Sequence, residues 1–404
     1  MKKKILFLAN IMVILLCSEF AFSATTFQSG DAYLLYGWTV NNDRNDRIYK
    51  VDSANNETLM YTMPDNTFYM DRYTGNSRIT FGYKNGYVDR MFVGTHDYIY
   101  EFGYEEDNLV MKNSWDIVSA GSLLNSSSYV YDIECDIYDG TSNYIYLGCS
   151  SLKTGTQGII RIDLNSSDVS NPDMEVVFTL DDYNNYEAAT TFQPQALAFN
   201  IPTPGFTGEL FVGDASLRNL FKISGDGDNY DSLVKYSTEY YFREMEFSVN
   251  YNTELGHITN NMLYVHSNHG IVPYLDIYNT VTDPGSYSVV KMYGYSAPKN
   301  GYIAVEPLPI SSSNQIYTNY QSGSKYLTNN GTSTALGGLY TDSSHSTNWL
   351  YSMDVAFVPY GWEGFPSIPD EPENTIPEPL SIILLSLGLA TYCKRIDRRI
   401  LNAN

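Results

Sequence analysis

Between residues 30 and 360 apolar and polar positions alternate over short runs, and Asn, Asp and Gly fill the joints between them. A period of two with Tyr, Val, Ile and Phe on one face is the signature of half-buried strands, and the Asn/Asp/Gly joints are hairpin signals. The runs recur in sets of four. A first alternating run (78–83, 130–137, 195–200, 244–250, 301–307) is followed by a short apolar run ending in Gly or a polar residue (91–94, 145–148, 210–213, 262–266, 315–319). About ten residues later comes a third run (98–102, 159–164, 220–224, 274–278, 325–328), and downstream a fourth, as at 108–112, 175–180, 231–236 and 286–292. The set repeats every 52 to 65 residues, and helical periodicity is almost absent outside the termini. The pattern predicts an all-β chain.

Four-stranded units of this length resemble the blades of six- and seven-bladed β-propellers, in which no sheet can bury its faces alone and each stacks on its neighbours. Five sets are complete. The leftovers at the two ends fit one more, with 351–358 as a first strand and 33–38, 47–52 and 57–61 as the other three. The expected fold is therefore a six-bladed propeller closed by N- and C-terminal strands, which joins the first sheet to the last without open edges. A pair of β-sandwiches is the alternative, although unequal strands and Greek-key joints would not produce six matching units. The likeness is architectural and carries no activity by itself.

The two ends have a different pattern. Lys2, Lys3 and Lys4 precede an apolar run over 5–17, and Ala21-Phe22-Ser23 supplies the small residues of a cut between Ser23 and Ala24, so 1–23 reads as a secretory signal peptide. A lipidated Cys17, disfavoured by Leu16 before it, and an uncleaved anchor are the alternatives. After an ectodomain over 24–365, the linker 366–376 is rich in Pro and acids (Asp370, Glu371, Glu373) and favours extended backbone over a core. An apolar segment follows at 380–393, then Lys394, Arg395, Arg398 and Arg399, the cationic flank expected on the cytoplasmic side of a membrane helix. As a helix that segment spans roughly 21 Å, short against a hydrocarbon core of about 30 Å.

Pro377-Glu378-Pro379, the apolar segment and the basic end together resemble the PEP-CTERM sorting signal of Gram-negative exporters, over about the last 25 residues. The resemblance implies that an exosortase in the inner membrane recognises residues 377–379, cuts near them and passes the ectodomain to the cell surface or exopolysaccharide matrix. A simple tail anchor explains the apolar run and charges but leaves the triplet unexplained.

Composition now sharpens the picture. The whole chain has 404 residues and a formal net charge of −22. Without the leader and tail, 17 basic residues face 43 acidic ones, near −26. Such a surface repels nucleic-acid backbones, and 15% aromatic content rules out a disordered chain.

Candidate chemistry is sparse. Cys135 and Cys149 fall in one predicted hairpin centred near Ser142, which makes them register partners for a structural disulfide in an oxidising compartment. Two buried thiols are the alternative. Asp226, Asp228 and Asp231 in a Gly-rich run could wrap a Ca²⁺ but lack the distal Glu of an EF-hand, and more simply form a solvated turn; Asp43, Asn45 and Asp46 make a weaker version. His257, His266 and His269 do not have spacing that places their rings reliably on one face. No hydrolase, P-loop or dinucleotide motif occurs, so no catalytic residue, metal or cofactor is assigned from sequence. Paired acids for polysaccharide cleavage would come from different blades and leave no spacing signal. The 37 Tyr, with Trp38, Trp115, Trp349 and Trp362, either fill the wedges between sheets or stack against sugar rings at a mouth. Two functions are expected from this: an exported non-enzymatic module binding exopolysaccharide or a surface protein, or a secreted hydrolase or lyase whose acids converge at the axis.

Overall fold

The computed structural model describes residues 27–40, 43–44, 47–51, 57–63, 78–95, 97–118, 122–125, 128–168, 172–186, 188–201, 208–235, 240–269, 272–279, 289–294, 303–305, 315–318, 325–328, 333–335 and 350–363. The side chains of several strand residues, among them 36–40 and most of those from 266 to 353, lie outside this description. So do the signal peptide with its Ser23/Ala24 cut, the linker 366–376, Pro377, Glu378 and Pro379, the apolar segment 380–393, and the basic tail of Lys394, Arg395, Arg398 and Arg399. Among the described residues no helix is long and apolar enough to cross a membrane.

The described chain is almost entirely strand. β1 (Ala32–Val40), β2 (Asp43–Arg44), β3 (Arg47–Val51) and β4 (Glu57–Thr62) begin it. A meander follows of β5 (Arg78–Lys84), β6 (Tyr87–Gly94), β7 (Tyr98–Glu105) and β8 (Asn108–Asp116), then another of β9 (Val130–Cys135), β10 (Tyr144–Cys149), β11 (Gly158–Asp163) and β12 (Met174–Thr179). A single-turn helix, α1 (Leu180–Asn184), is capped by Thr179, whose hydroxyl accepts the Asp182 N–H while the Asp182 carboxylate accepts the Thr179 N–H. Then come β13 (Pro194–Asn200), β14 (Glu209–Asp214), β15 (Asn219–Ser224) and β16 (Tyr230–Lys235), and the longer β17 (Tyr240–Asn252) and β18 (His257–His269) with β19 (Val272–Asn279) and β20 (Val289–Gly294). The last meander holds β21 (Ile303–Val305), β22 (Gln315–Thr318), β23 (Lys325–Thr328) and β24 (Ser333–Ala335), and β25 (Leu350–Phe357) ends the strand series.

These five four-stranded antiparallel sheets are set as propeller blades. β25 does not join the fifth of them. It pairs with β1 from the other end of the chain, with Ala32 opposite Phe357 and Trp38 opposite Leu350, so that β25, β1, β3 and β4 form a further sheet to which β2 adds a short edge. The first strand of each sheet lies against the first strands of other sheets: β25 by β5, β5 by β9, β9 by β13, β13 by β17, β17 by β21, and β21 by β25.

Apolar side chains fill the wedges between neighbouring sheets. An aromatic wedge joins the β9–β12 and β13–β16 sheets, where Phe178, Tyr183, Phe192 and Phe221 are buried together with ring centroids 5.5 to 6.4 Å apart. The Gly that ends a second strand lets the next sheet come close. A Cβ on Gly148 would sit 2.2 Å from the Pro194 carbonyl oxygen, and one on Gly94 or Gly213 would meet Ile133 or Phe242 at 2.8 Å. The recurring Gly in the sequence pattern is therefore a packing requirement between sheets.

Candidate functional site at the inner edges of the sheets

Along each first strand, successive side chains point to opposite faces. One face is apolar and enters the wedge towards the preceding sheet, as Ile133 and Cys135 do. The other face, turned towards the following sheet, carries charged and polar groups: Arg78 and the hydroxyl of Thr80 on β5, Asp132 and Glu134 on β9, Glu244 and Glu246 on β17, and Asp354 on β25. Between β9 and β17, β13 places only Ala196 and Ala198 at these positions.

These carboxylates bond across to the next strand. Asp354 Oδ2 accepts the Ile79 N–H of β5 at 2.6 Å and Oδ1 the Val355 N–H at 2.8 Å. Asp132 repeats the arrangement two first strands along, on β9, accepting the Leu197 N–H of β13 at 2.7 Å and the Ile133 N–H at 2.9 Å. Glu134 accepts the Phe199 N–H at 3.4 Å and the Thr80 hydroxyl at 3.2 Å. The Arg78 guanidinium lies 3.3 Å from Asp132 Oδ1, with both side chains buried. β25, β5 and β9 thus each tie the next first strand through side chains, as backbone ladders cannot do between sheets.

Burial governs their protonation. It pushes Asp132 up to about 7 although Arg78 pulls down, Glu134 up to about 8, helped by the Asp132 charge, and Asp354 to about 6 against the pull of Arg78. Glu244 and Glu246 rise well above the ordinary carboxylate range for the same first reason, with neighbouring acids adding to it. Glu244 and Asp354 share a hydrogen bond, and Glu244 holds the proton, because Asp354 already accepts two backbone N–H groups that stabilise its anion. Glu134 and Glu246 are only half-buried by surface. Among the described residues no group of three His, Cys, Asp or Glu could hold a metal ion.

The residues singled out from sequence are placed elsewhere. Cys135 and Cys149 are buried and free. The expected disulfide fails on register, since Cys135 faces Ile145 and Cys149 faces Val130, at opposite ends of the β9–β10 ladder. The hairpin turns at Asp139 and Gly140 (φ 46° and 72°), two residues earlier than the Ser142 centre assumed, and a bulge at Gly148/Cys149 shifts the far end further. The run at Asp226 and Asp228 is a hairpin turn bonded to itself and its neighbours. Asp226 accepts from Ser224 and the Asp228 N–H, and the Gly225 carbonyl accepts from Tyr146 Oη at 2.9 Å and Arg161 at 2.8 Å. Asp231 lies one residue into β16. Asp43 falls in β2, while Asn45 and Asp46 lie outside the described residues, as do Trp349 and the side chains of Trp38, His266 and His269. His257 is buried and stacks on Trp362. Tyr33, Tyr83, Tyr146 and Tyr183 are fully buried, which places these tyrosines in the wedges.

Sequence reasoning missed the inner-edge acids. A signal for them existed: Asp132-Ile133-Glu134-Cys135, Glu244-Met245-Glu246-Phe247 and Asp354-Val355-Ala356-Phe357 put an acid at the same step of three first strands.

No family model matches the chain, and no curated protein does. Among solved structures it is similar to a provisionally assigned 6-phosphogluconolactonase from Bacteroides fragilis NCTC 9343, at 9% identity and a TM-score of 0.42, covering 81% of this chain and 98% of that one. It is also similar to a chain of a nidogen/laminin complex, at 8% identity and a TM-score of 0.44, again covering 81% and 98%.

Proposed function

We propose that the chain is an exported, non-enzymatic, six-bladed propeller that binds a glycan or a protein at the cell surface or in the extracellular matrix. The observation that carries the non-enzymatic part is the use made of the inner-edge acids. Asp132 and Asp354 are buried, and their oxygens are taken by backbone N–H groups of adjacent strands and by Arg78. A glycosidase needs carboxyls facing a sugar with free lone pairs or a transferable proton. The six-blade count is supported by the cyclic order of first strands, which returns to β25, and by the closing sheet built from both chain ends.

Export, sorting and release rest on the sequence: the leader over 1–23, then Pro377-Glu378-Pro379, the apolar segment and the basic tail as an exosortase substrate held transiently in the inner membrane. Replacing residues 377–379 by alanine is expected to leave the unprocessed chain in the inner membrane; unchanged processing refutes the sorting assignment. For binding, mature protein is applied to arrays of extracted exopolysaccharide and surface fractions. Saturable capture is expected, and no capture on any fraction overturns the reading.

A second reading, a polysaccharide hydrolase or lyase, is favoured by one observation: Glu134 and Glu246 keep part of their surface open and carry protons near neutrality. Turnover of exopolysaccharide fragments that is lost in Glu246→Gln would establish it.

A further inference from the structure

Beyond β25 the chain does not simply leave. Val358 continues the pairing with the N-terminal segment, its N–H donating to the Asp31 carbonyl at 2.9 Å and its carbonyl accepting the Gly30 N–H at 3.0 Å. Ser29 Oγ then donates to the Pro359 carbonyl at 2.9 Å, and Tyr83 Oη to the Tyr360 carbonyl at 2.8 Å. At Trp362 the backbone N–H donates to the Gly86 carbonyl at 2.7 Å and the carbonyl accepts the Ile258 N–H at 2.8 Å. Its ring lies flat on His257, centroids 4.6 Å apart and 8° between planes. Gly140 sits beneath, where a Cβ would come within 2.9 Å of Trp362 Cβ and Gly86 Cα.

Residues 359–363 therefore touch the first hairpin turns of three sheets, β5–β6, β9–β10 and β17–β18. They do so next to the pair β1–β25, whose two strands come from opposite ends of the chain and are joined by no covalent turn. β1 and β25 are antiparallel with Ala32 opposite Phe357, so the incoming chain and the outgoing chain both lie at the same end of the pair. Fraying or pull at that end opens such a pair one hydrogen bond at a time, whereas the hairpins elsewhere are closed by covalent turns at one end.

We propose that residues 359–363 are a lock that prevents the closing pair β1–β25 from peeling, with Trp362 as its anchor on the other sheets. The inference rests on the reading of β25 and β1 as the strands that close the ring. Trp362 holds the peeling end by bonds to Gly86 and Ile258 and by its stack on His257, so the pair opens only after these contacts are lost.

Hydrogen exchange on the full chain tests this, with Trp362→Ala and Trp362→Phe compared to the unaltered protein. The lock predicts exchange at least about tenfold faster in Trp362→Ala over residues 31–36 and 352–358, no change over 209–214 in β14, and recovery of most protection in Trp362→Phe. His257→Ala, which removes the stack but leaves the strap's backbone bonds, is expected to shift the same residues by a smaller factor and serves if Trp362→Ala does not fold. Faster exchange confined to 359–363 in either variant overturns the lock. Rapid exchange over 31–36 and 352–358 already in the unaltered chain instead overturns the closing-pair reading beneath it.

Discussion

Two regions of the same sheets are built on opposite chemistry. In the wedge between the β9–β12 and β13–β16 sheets, contact is made by Phe178, Tyr183, Phe192 and Phe221, which need only shape and dryness. At the inner edges of the first strands, contact is made by Asp132, Glu134 and Asp354 accepting N–H groups across the gap, with Arg78 as their buried cation. The difference follows from geometry. Wedges widen outward and take large rings, whereas near the axis the first strands approach closely, leaving backbone N–H groups that face a neighbouring strand without a ladder partner. Those donors must be satisfied, and a short acid one residue away on the adjacent strand does so.

The contrast can be broken on the apolar side first. Phe178→Ala should cost about 3–5 kcal/mol, read as a loss of the urea midpoint, because four packed rings cannot collapse into the space it leaves. At the inner edge, Arg78→Gln leaves Asp132 buried without its cation and is expected to cost about 3 kcal/mol at pH 8 and less at pH 5, where Asp132 is protonated. The pH dependence of that loss is the distinguishing feature, since Phe178→Ala has none. Glu246→Gln should change stability by less than about 1 kcal/mol at pH 5 and raise the melting temperature at pH 8, by removing a carboxyl that burial forces to hold its proton. Asp226→Ala, in a turn whose bonds are local and exposed, should stay within about 0.5 kcal/mol, and Ca²⁺ should not shift its melting temperature relative to the unaltered chain.

The strands themselves were legible. The run expected at 78–83 is β5 at Arg78–Lys84, and that at 220–224 is β15 at Asn219–Ser224, because alternation and Asn/Asp/Gly joints are local properties. The pairing of 33–38 with 351–358 was legible too, since each end was missing what the other supplied. Register was not. A turn at Asp139-Gly140 and a one-residue bulge separate Cys135 from Cys149, and neither can be located from composition alone. The inner-edge acids did not stand out, because in one sequence a polar alternation facing water and one facing the next strand look alike. Only their recurrence at one step of three repeats, at Asp132, Glu244 and Asp354, distinguishes them.

That the inner-edge acids act as proton-bearing ties between sheets is tested most directly by the melting temperature between pH 5 and pH 8. Burial raises Asp354, Asp132 and Glu134 to about 6, 7 and 8, while in the unfolded chain they titrate near 4. The folded state therefore binds more protons than the unfolded state across this window. The stability these groups contribute is complete below about pH 4 and declines as pH rises through 6 to 8. The account predicts a melting temperature that falls steadily from pH 5 to pH 8, with a shallower fall in Glu134→Gln. A melting temperature that stays level over that range, as surface ion pairs already ionised at pH 5 would give, or that rises, contradicts it.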